Sequence, residues 1–348
     1  MVVPAAANGA DQKPYEIPFF DFGAAGEEEM IAADGGARWR EVCEKVREAC
    51  ETHGCFCFTT DKVTAKLREG MAEGLRQLFD LPVETKERHV SPKPYRSYLG
   101  KNDVVPYLES FGIDEQAPDV DDAAEAFTAV MWPQGNPEFR EALSEMSAKM
   151  VELNLLIMKM LLTSYNLDDA TSHVADTTAS YLRLMKYKVP PAPPAADHYA
   201  GIGLLAHTDK NTVTILGQND VQGLEIQPKD DNDSWVPVVI PEGAFVAIVG
   251  DALKAWSNGM VHSVRHRVVL RGEKERYTWG SFLMPKDDST IEAPEKFVDK
   301  EHPLLYRGFT YAEFLSYFVS TLKDDALDVF AGLSTSPDVD DRDQLAVN

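Results

Sequence analysis

Three side chains that can bind a metal ion lie in the second half of this sequence. His207 and Asp209 are two residues apart, and His266 follows in a later segment. On an extended strand the side chains of His207 and Asp209 would leave by the same face, so the third ligand must come from a distant strand. Two imidazoles and one carboxylate, with further positions left open, are the ligand set typical of non-haem Fe(II) centres.

The segment after His266 contains groups that could hold an anionic co-substrate beside such a metal. Arg276 begins a β-rich run after a turn-like Arg-Gly-Glu, and we predict residues 277–284 to be a strand. Thr278 shares the strand face of Arg276. A guanidinium fork binds a carboxylate through two hydrogen bonds, and a neighbouring hydroxyl can donate a further one.

Spacing alone leaves two histidines as candidates for the third ligand. His262 and His266 are four residues apart on a predicted strand, residues 261–270, so both could point inward. The arginines on either side of His266 would face away from it, which favours Arg276 as the carboxylate-binding residue. The other histidines have no partner at metal-ligand spacing, and we interpret them as structural: His53, His89, His173, His198 and His302.

Hydrophobic periodicity predicts a helix-rich first half and a strand-rich second half, which is an α+β order. Predicted helices cover residues 38–53, 62–79, 139–165 and 311–319, and predicted strands cover residues 17–22, 55–59, 178–188, 212–216, 223–227, 234–238, 245–249, 261–270 and 277–284. The short, closely spaced strands favour an antiparallel sandwich or jelly roll. Residues 87–135 lack clear periodicity and could be a functional lid or a surface meander. We interpret Asp251 as a turn residue and Trp256 as a core residue.

The amino-acid composition limits the kinds of binding partner and the cellular compartment that we expect for this protein. The 348 residues include 34 Lys+Arg against 57 Asp+Glu, for a net charge of −23, which disfavours nucleic acid and anionic membranes as partners. No apolar run reaches about 18 residues, so we expect no membrane span. The four cysteines lie between residues 43 and 57 without paired metal spacing, and we expect them to be buried free thiols suited to a reducing cytosol. We expect a cytoplasmic protein, and we also expect a monomer.

Taken in order, the site motifs resemble those of the plant 2-oxoglutarate- and Fe(II)-dependent dioxygenases. The family signature of H-x-D, a distant H and R-x-S corresponds here to His207-Thr208-Asp209, His266 and Arg276-Tyr277-Thr278. Thr278 stands where Ser is usual and keeps the hydroxyl. The family frame around residues 258–267 implies that His266, rather than His262, is the metal ligand.

The resemblance is most detailed with one plant subgroup, the alkenyl- and hydroxyalkyl-producing (AOP-like) dioxygenases. The similar stretches are residues 207–212, 218–219, 223–225, 250–251, 255–259 and 285–286. The family usually has an Asn-Tyr-Tyr-Pro-like run where this chain has residues 185–190. Tyr187 there matches a tyrosine that contacts the co-substrate, whereas Met185 replaces an asparagine, which puts one co-substrate contact in doubt.

The resemblance implies a double-stranded β-helix (jelly-roll) core at residues 176–330 and a helical N-terminal extension at residues 15–175. Residues 1–14 and the acidic residues 334–348 are expected to be disordered tails. It also implies an oxidoreductase of specialised plant metabolism that uses Fe(II), 2-oxoglutarate and O₂, supported by ascorbate. Such an enzyme would hydroxylate or desaturate a small organic metabolite and release succinate and CO₂, with 2-oxoglutarate held by Arg276, Thr278 and Tyr187.

Two other classes of protein could use the same residues. One is a sugar- or ligand-binding jelly roll in which the metal is structural or absent. The other is a zinc hydrolase with the same three ligands. The hydrolase leaves Arg276 and Thr278 without a role.

Overall fold

The computed structural model describes residues 16–23, 36–100, 102–115, 120–190, 201–231 and 233–333. Both expected tails, residues 1–14 and 334–348, lie outside these ranges, as does His198. The division of the chain near residue 175 stays a prediction.

The strands form a large sheet, a smaller sheet and a short antiparallel pair. Their bounds are β1 Phe19–Asp21, β2 Cys55–Thr59, β3 Leu108–Glu115, β4 Thr178–Tyr187, β5 Ile202–His207, β6 Val213–Gln218, β7 Leu224–Ile226, β8 Val236–Pro237, β9 Phe245–Val249, β10 His266–Val269, β11 Arg276–Pro285, β12 Thr290–Ile291 and β13 Phe309–Thr310. The large sheet has the order β1-β2-β9-β6-β11-β4-β3, the smaller sheet has the order β5-β10-β7-β8, and β12 pairs with β13. Only the outermost pair, β1 with β2, is parallel among these described strands.

The longer helices of the first half of the chain cover the outer face of the large sheet, and the last two helices pack in a separate apolar cluster. Their bounds are α1 Ala37–Thr52, α2 Ala65–Phe79, α3 Val83–Lys86, α4 Val120–Met131, α5 Pro137–Ser164, α6 Thr171–Thr177, α7 Asp251–Trp256, α8 Tyr311–Thr321 and α9 Ala326–Ala331. Helix α5 begins at Pro137, and the Asn136 side chain accepts a hydrogen bond from the Phe139 amide at 3.1 Å. Its four methionines are buried in the core: Met146, Met150, Met158 and Met160.

Two apolar clusters separate the layers of the molecule. One lies between the helices and the large sheet and includes Met150 of α5 and Leu184 of β4. The other lies between the two sheets and includes Tyr187 of β4 and Val268 of β10. Alternate residues of β4 thus point into different clusters, as the period of two in a strand requires. The second cluster borders the predicted site.

The prediction that residues 87–135 are irregular was wrong for two parts of that segment. They contain the strand β3 and the helix α4. Strand β3 was missed because the polar Glu109 lies buried in it, where apolar alternation would lead one to expect a hydrophobic residue. The Glu109 carboxylate is matched by Lys86 at 2.7 Å and accepts a hydrogen bond from the Tyr98 hydroxyl at 2.6 Å. Paired charges of this kind are invisible to a hydrophobic pattern.

The predicted strand 261–270 is regular only from His266 onward. The chain turns at Asn258 and Gly259, which have φ angles of 53° and 78°. The His262 amide then donates to the Cys50 carbonyl of α1 at 2.9 Å instead of joining a sheet ladder. His262 and His266 therefore do not share a strand face.

Other details follow the sequence more closely. Helix α2 begins at Ala65, later than predicted, because the Thr64 side chain caps it. The four cysteines are buried free thiols, and burial raises the pKa of Cys57 to about 12. Asp251 begins the short helix α7 and does not lie in a turn, while Trp256 ends that helix. None of the described helices combines the length and apolarity needed to cross a membrane.

Candidate metal centre and co-substrate site

The pairing of β5 with β10 brings the predicted metal ligands together. His207 is the last residue of β5 and lies opposite His266, the first residue of β10. Asp209 follows just after β5 ends, so the expectation that it shares a strand with His207 was wrong. The chain nevertheless turns Asp209 toward both imidazoles. Its Oδ1 lies 3.7 Å from His207 Nε2 and 3.8 Å from His266 Nε2.

Hydrogen bonds around the three side chains fix which atoms face the common point. In both histidines Nδ1 lies against the backbone carbonyl oxygen two residues earlier, at 2.8 Å for His207 and 3.1 Å for His266. A proton on Nδ1 would donate there and leave the Nε2 lone pair free for a metal. The Thr214 hydroxyl donates to Asp209 Oδ2 at 2.5 Å, which leaves Oδ1 on the imidazole side. One ligand atom from each side chain lies within 4.8 Å of the others.

The electrostatics favour the protonation states that a metal requires. Burial, together with the nearby His266, lowers the pKa of His207 to about 4, so this imidazole is neutral near pH 7. Burial alone would raise the pKa of Asp209, but His266, His207 and the Thr214 hydrogen bond bring it below its usual value. A neutral His207 imidazole and an ionised Asp209 carboxylate can bind a divalent cation without first losing protons.

A second group of buried polar atoms lies on the large sheet. In the registers of β11 with β4 and β6, Arg276 is opposite Tyr187, and Thr278 is opposite both Met185 and Gln218. Arg276 is 1% exposed, and its Nη2 donates to Gln218 Oε1 at 2.9 Å. Within the described part of the chain, Arg276 Nε and Nη1, Thr278 Oγ1 and Gln218 Nε2 are buried without a hydrogen-bond partner. Several donors thus converge without an acceptor.

Such a group is suited to a carboxylate that the chain itself does not supply. A buried donor without a partner costs about 1–3 kcal/mol, and more when it is charged. An incoming anion would supply the missing acceptors. Tyr187 lies beside this group, with its ring centroid 5.2 Å from Arg276 Cζ. Its hydroxyl contacts Met185 Sδ at 3.6 Å, so Met185 occupies the place of the usual asparagine as a weak acceptor for Tyr187.

Comparison with known proteins decides the family. The model of the 2OG-Fe(II) oxygenase superfamily matches residues 179–285, and that of the non-haem dioxygenase in morphine synthesis N-terminal region matches residues 17–135. The probable 2-oxoglutarate-dependent dioxygenase AOP1.2 of Arabidopsis thaliana is 37% identical over 321 residues, which cover 91% of this chain and 96% of that protein. The chain belongs to the 2-oxoglutarate- and Fe(II)-dependent dioxygenases.

Solved structures agree with this assignment. A rice dioxygenase for auxin oxidation is 31% identical, has a TM-score of 0.75, and matches over 91% of this chain and 100% of its own. A structure of JOX2 with 2OG, Fe and JA is 25% identical, with a TM-score of 0.70 and coverages of 89% and 87%. The predicted α+β jelly-roll fold, the oxidoreductase class and the dependence on Fe(II) and 2-oxoglutarate are confirmed. The binding-module and zinc-hydrolase alternatives do not fit this family.

The residues of this dioxygenase fit both Fe(II) and 2-oxoglutarate. Two imidazole nitrogens and one carboxylate oxygen converge as a facial Fe(II) ligand set would, and the unpartnered donors around Arg276 suit the far carboxylate of 2-oxoglutarate. The arginines that flank His266 are engaged elsewhere. Arg265 pairs with Asp324 at 2.5 Å, and Arg267 pairs with Glu225 at 2.7 Å.

Asp251 is a site residue that the sequence interpretation missed. Its Oδ2 accepts hydrogen bonds from Thr208 at 3.0 Å and Lys210 Nζ at 2.6 Å, and its Oδ1 accepts one from Ser263 at 2.7 Å. Its amide donates to the Asp209 carbonyl at 2.7 Å. Asp251 thus fixes the metal-binding loop to the segment that leads into His266. The only sequence signal was an acid in the Gly-Asp pair of the AOP-like pattern.

A cavity of about 520 Å³ opens beside His207 and Asp209. Its walls come from β3 and the segment before it, from β4, β5 and β11, and from the region of α8. They include Tyr95, Tyr98, Leu99, Val104, Val105 and Leu108 from the 87–135 segment, Leu204 and Leu205 from β5, and Tyr311, Leu315, Phe318 and Leu322 in or next to α8. The lining is mainly aromatic and aliphatic, which suits a small organic ligand.

The buried Lys210–Asp251 pair predicts strong energetic coupling. We expect Asp251→Ala alone to lower the free energy of unfolding by about 3–5 kcal/mol, because it leaves the Lys210 ammonium buried without a carboxylate. The double variant Asp251→Ala/Lys210→Met should lose much less free energy of unfolding than the two single variants lose in sum. Urea denaturation of the four proteins in this double-mutant cycle measures the coupling. The exposed Lys274–Asp220 pair at 3.0 Å is the matched control, with an expected coupling below about 1 kcal/mol; equal couplings for the two pairs would contradict the prediction.

His262 predicts a pH dependence of stability. Burial, with Lys229 and Lys254 nearby, lowers its pKa to about 4. Between about pH 6.5 and pH 4 the unfolded chain binds more protons at this residue, so the free energy of unfolding falls as the pH falls. The His262→Gln variant should lose about 2–3 kcal/mol less than wild type across this window. Denaturation at several pH values checks this, with exposed His302→Gln as control, and parallel wild-type and His262→Gln profiles would refute it.

Proposed function

We propose that His207, Asp209 and His266 bind the Fe(II) of this dioxygenase, and that Arg276 and Thr278 bind the far carboxylate of 2-oxoglutarate. The observation that carries the proposal is the set of buried, unpartnered donors on β11. Arg276 and Thr278 share one face of β11 with Phe282 and Met284, which line the cavity beside the metal ligands. The strand therefore leads from the anion-binding group to the cavity.

Other side chains and backbone groups orient the proposed metal ligands and shield Arg276. Thr214 and Asp251 hold the carboxylate and backbone of Asp209, and the carbonyl oxygens next to Nδ1 orient the two imidazoles. Tyr187 packs against Arg276 and keeps water from the guanidinium. When bound, iron and 2-oxoglutarate supply the O₂-dependent oxidation, which yields succinate and CO₂. The protein places the reacting bond of the substrate and keeps the surroundings dry.

We further propose that the substrate is a small plant metabolite which is hydroxylated or desaturated. The relatives support this, since one similar structure is a dioxygenase for auxin oxidation and another contains JA. The size of the cavity and its apolar walls are consistent with such a ligand. The net charge of −23 supports an enzyme that acts without nucleic acid or an anionic membrane. A cytoplasmic monomer and a supporting role of ascorbate remain parts of this proposal.

The first test is the production of succinate. Purified protein supplied with Fe(II), ascorbate, 2-oxoglutarate and O₂ should release succinate, because the oxidative decarboxylation of 2-oxoglutarate by O₂ gives succinate and CO₂. His207→Ala should abolish this release, since only two of the three ligands remain. His302→Ala, which removes an exposed histidine, serves as the matched control. Full succinate output from His207→Ala would refute the metal assignment.

The second test concerns the co-substrate anchor. Arg276→Leu should raise the KM for 2-oxoglutarate by about 10- to 100-fold, because it removes a charge-assisted bidentate contact. Thr278→Ser should stay close to wild type, whereas Thr278→Val should raise KM by about 3- to 10-fold through the loss of one hydroxyl donor. Initial-rate kinetics with varied 2-oxoglutarate measure these effects. A Thr278→Val enzyme with the same KM as Thr278→Ser would exclude the hydroxyl from the anchor.

A further inference from the structure

Arg183 lies on the inner face of β4, between the co-substrate anchor and the far end of the cavity. Tyr181, Arg183 and Tyr187 alternate along this face, and Arg183 lines the cavity. In the sheet register its neighbours are Gly280 on β11 and Gly112 on β3. Neither neighbour has a side chain, so no cross-strand partner covers the guanidinium.

Arg183 is the one cavity-lining arginine or lysine of the described residues that has no ionic partner. Lys210 is paired with Asp251 at 2.6 Å. The acidic cavity residue Asp324 is already paired with Arg265. Arg183 makes one hydrogen bond, from Nη2 to the Ser110 hydroxyl at 3.2 Å, and its Nε is buried without an acceptor. One positive charge of the cavity is therefore left without a counter-charge.

The surroundings make this charge unfavourable without a ligand. The walls are mainly aromatic and aliphatic, and the nearest ring is that of Tyr95, with its centroid 5.9 Å from Arg183 Cζ. A cation surrounded by apolar groups loses hydration and is stabilised when an anion with good geometry joins it. A planar carboxylate matches the guanidinium edge in both shape and charge.

Tyr95 provides a second observation at the same place. Its φ angle is 62°, a left-handed conformation that is unfavourable for a bulky residue. The close approach of β3 holds it there, since a Cβ on Gly112 would lie 2.2 Å from the Tyr95 carbonyl oxygen. Backbone strain of this kind persists where the surroundings fix it, and it clusters at ligand-binding positions. In this backbone conformation the Tyr95 ring lies near Arg183.

The position of Arg183 separates it from the co-substrate anchor. Arg276 is opposite Tyr187 in the register, and Arg183 is four residues from Tyr187 along β4. Four residues of strand span about 13 Å. Arg183 lines the cavity whereas Arg276 does not, so Arg183 is available to a second anion that enters the cavity.

We infer that Arg183 binds the carboxylate of the organic substrate, and that this substrate is a small acid with an apolar or aromatic body. The inference rests on the proposed function, because it assigns the cavity to the substrate of that reaction. The carboxylate would occupy the Arg183 end of the cavity, and the apolar body would lie along Tyr95, Leu204 and Phe318 toward the metal.

Binding of matched acids and amides tests this inference. The probes are phenylacetate, 4-phenylbutyrate and hexanoate, each paired with its neutral amide. Dissociation constants are measured anaerobically by calorimetry on the protein loaded with Fe(II) and saturating 2-oxoglutarate. In wild type at least one acid should bind about 10-fold or more tighter than its amide, as expected for a charge-assisted contact.

Variants of Arg183 decide whether the preference arises there. Arg183→Gln should reduce the acid-to-amide ratio to about 1, and Arg183→Lys should retain part of it because the charge remains. Arg307→Gln removes an exposed arginine and should behave as wild type. Equal binding of acids and amides by wild type, failure of every acid to bind, or an unchanged ratio in Arg183→Gln would each overturn the inference.

The proposed function fails on a different observation. Succinate release by the wild-type protein depends on the metal ligands and on Arg276, and it does not involve the acid-to-amide ratio. A protein that releases succinate but does not distinguish acids from amides would refute only the role of Arg183. A protein that distinguishes them without releasing succinate would refute the proposed reaction.

Discussion

The antiparallel pairing of β5 with β10 is the constraint on which the site depends. It places His207 and His266 directly opposite each other at the edge of the smaller sheet, with their ring centroids 4.3 Å apart. Like imidazoles at this distance would repel each other if both were protonated, and Asp209 between them offsets that cost. The backbone ladder therefore sets the distance between the ligands before any metal binds, and the Asp251 network supports the loop from behind. A preorganised centre of this kind avoids reordering its ligands when the metal arrives.

The large sheet contributes two cationic positions to the same interior. Arg276 on β11 and Arg183 on β4 differ in their surroundings, although both point toward the space between the two sheets. Arg276 lies among hydrogen-bonding neighbours and is sealed from water, whereas Arg183 opens into an apolar cavity. The strand spacing keeps the two positions apart. Two anionic ligands can thus be distinguished on one sheet by how deeply each arginine is buried and by which residues surround it, although both arginines carry the same charge.

The sequence predicted that His207, Asp209 and His266 would come together and that Arg276 would face inward, because each of these placements depends on local pattern. His207 and Asp209 are close in the chain, and the faces of β10 and β11 follow from a period of two. It failed where tertiary contacts override local pattern. The ion pairs of Glu109 allow a charged residue inside β3, so the strand lacks an apolar pattern. The His262 amide bonds to the Cys50 carbonyl, so the chain near His262 is not part of β10. The hydrogen bonds of Asp251 form only when three segments meet in the folded protein. Arg183 could not be chosen from sequence either, because its significance lies in a partner that is missing from the folded cavity.

The topology of the large sheet also has a consequence for synthesis on the ribosome. Strand β2 pairs with β9, so Cys55 cannot pair with Ile248 until β9 has been synthesised. Strand β11 lies between β4 and β6, so β3 and β4 join the rest of the sheet only when β11 is present. Helices α1, α2 and α5 can form while the chain emerges, but the sheet that they cover cannot close until β11 has left the exit tunnel. Until then the apolar edges of the early strands stay exposed, which is the state most prone to wrong pairing. Nascent chains of this enzyme therefore expose these edges at least until β11, which ends at Pro285, has been synthesised.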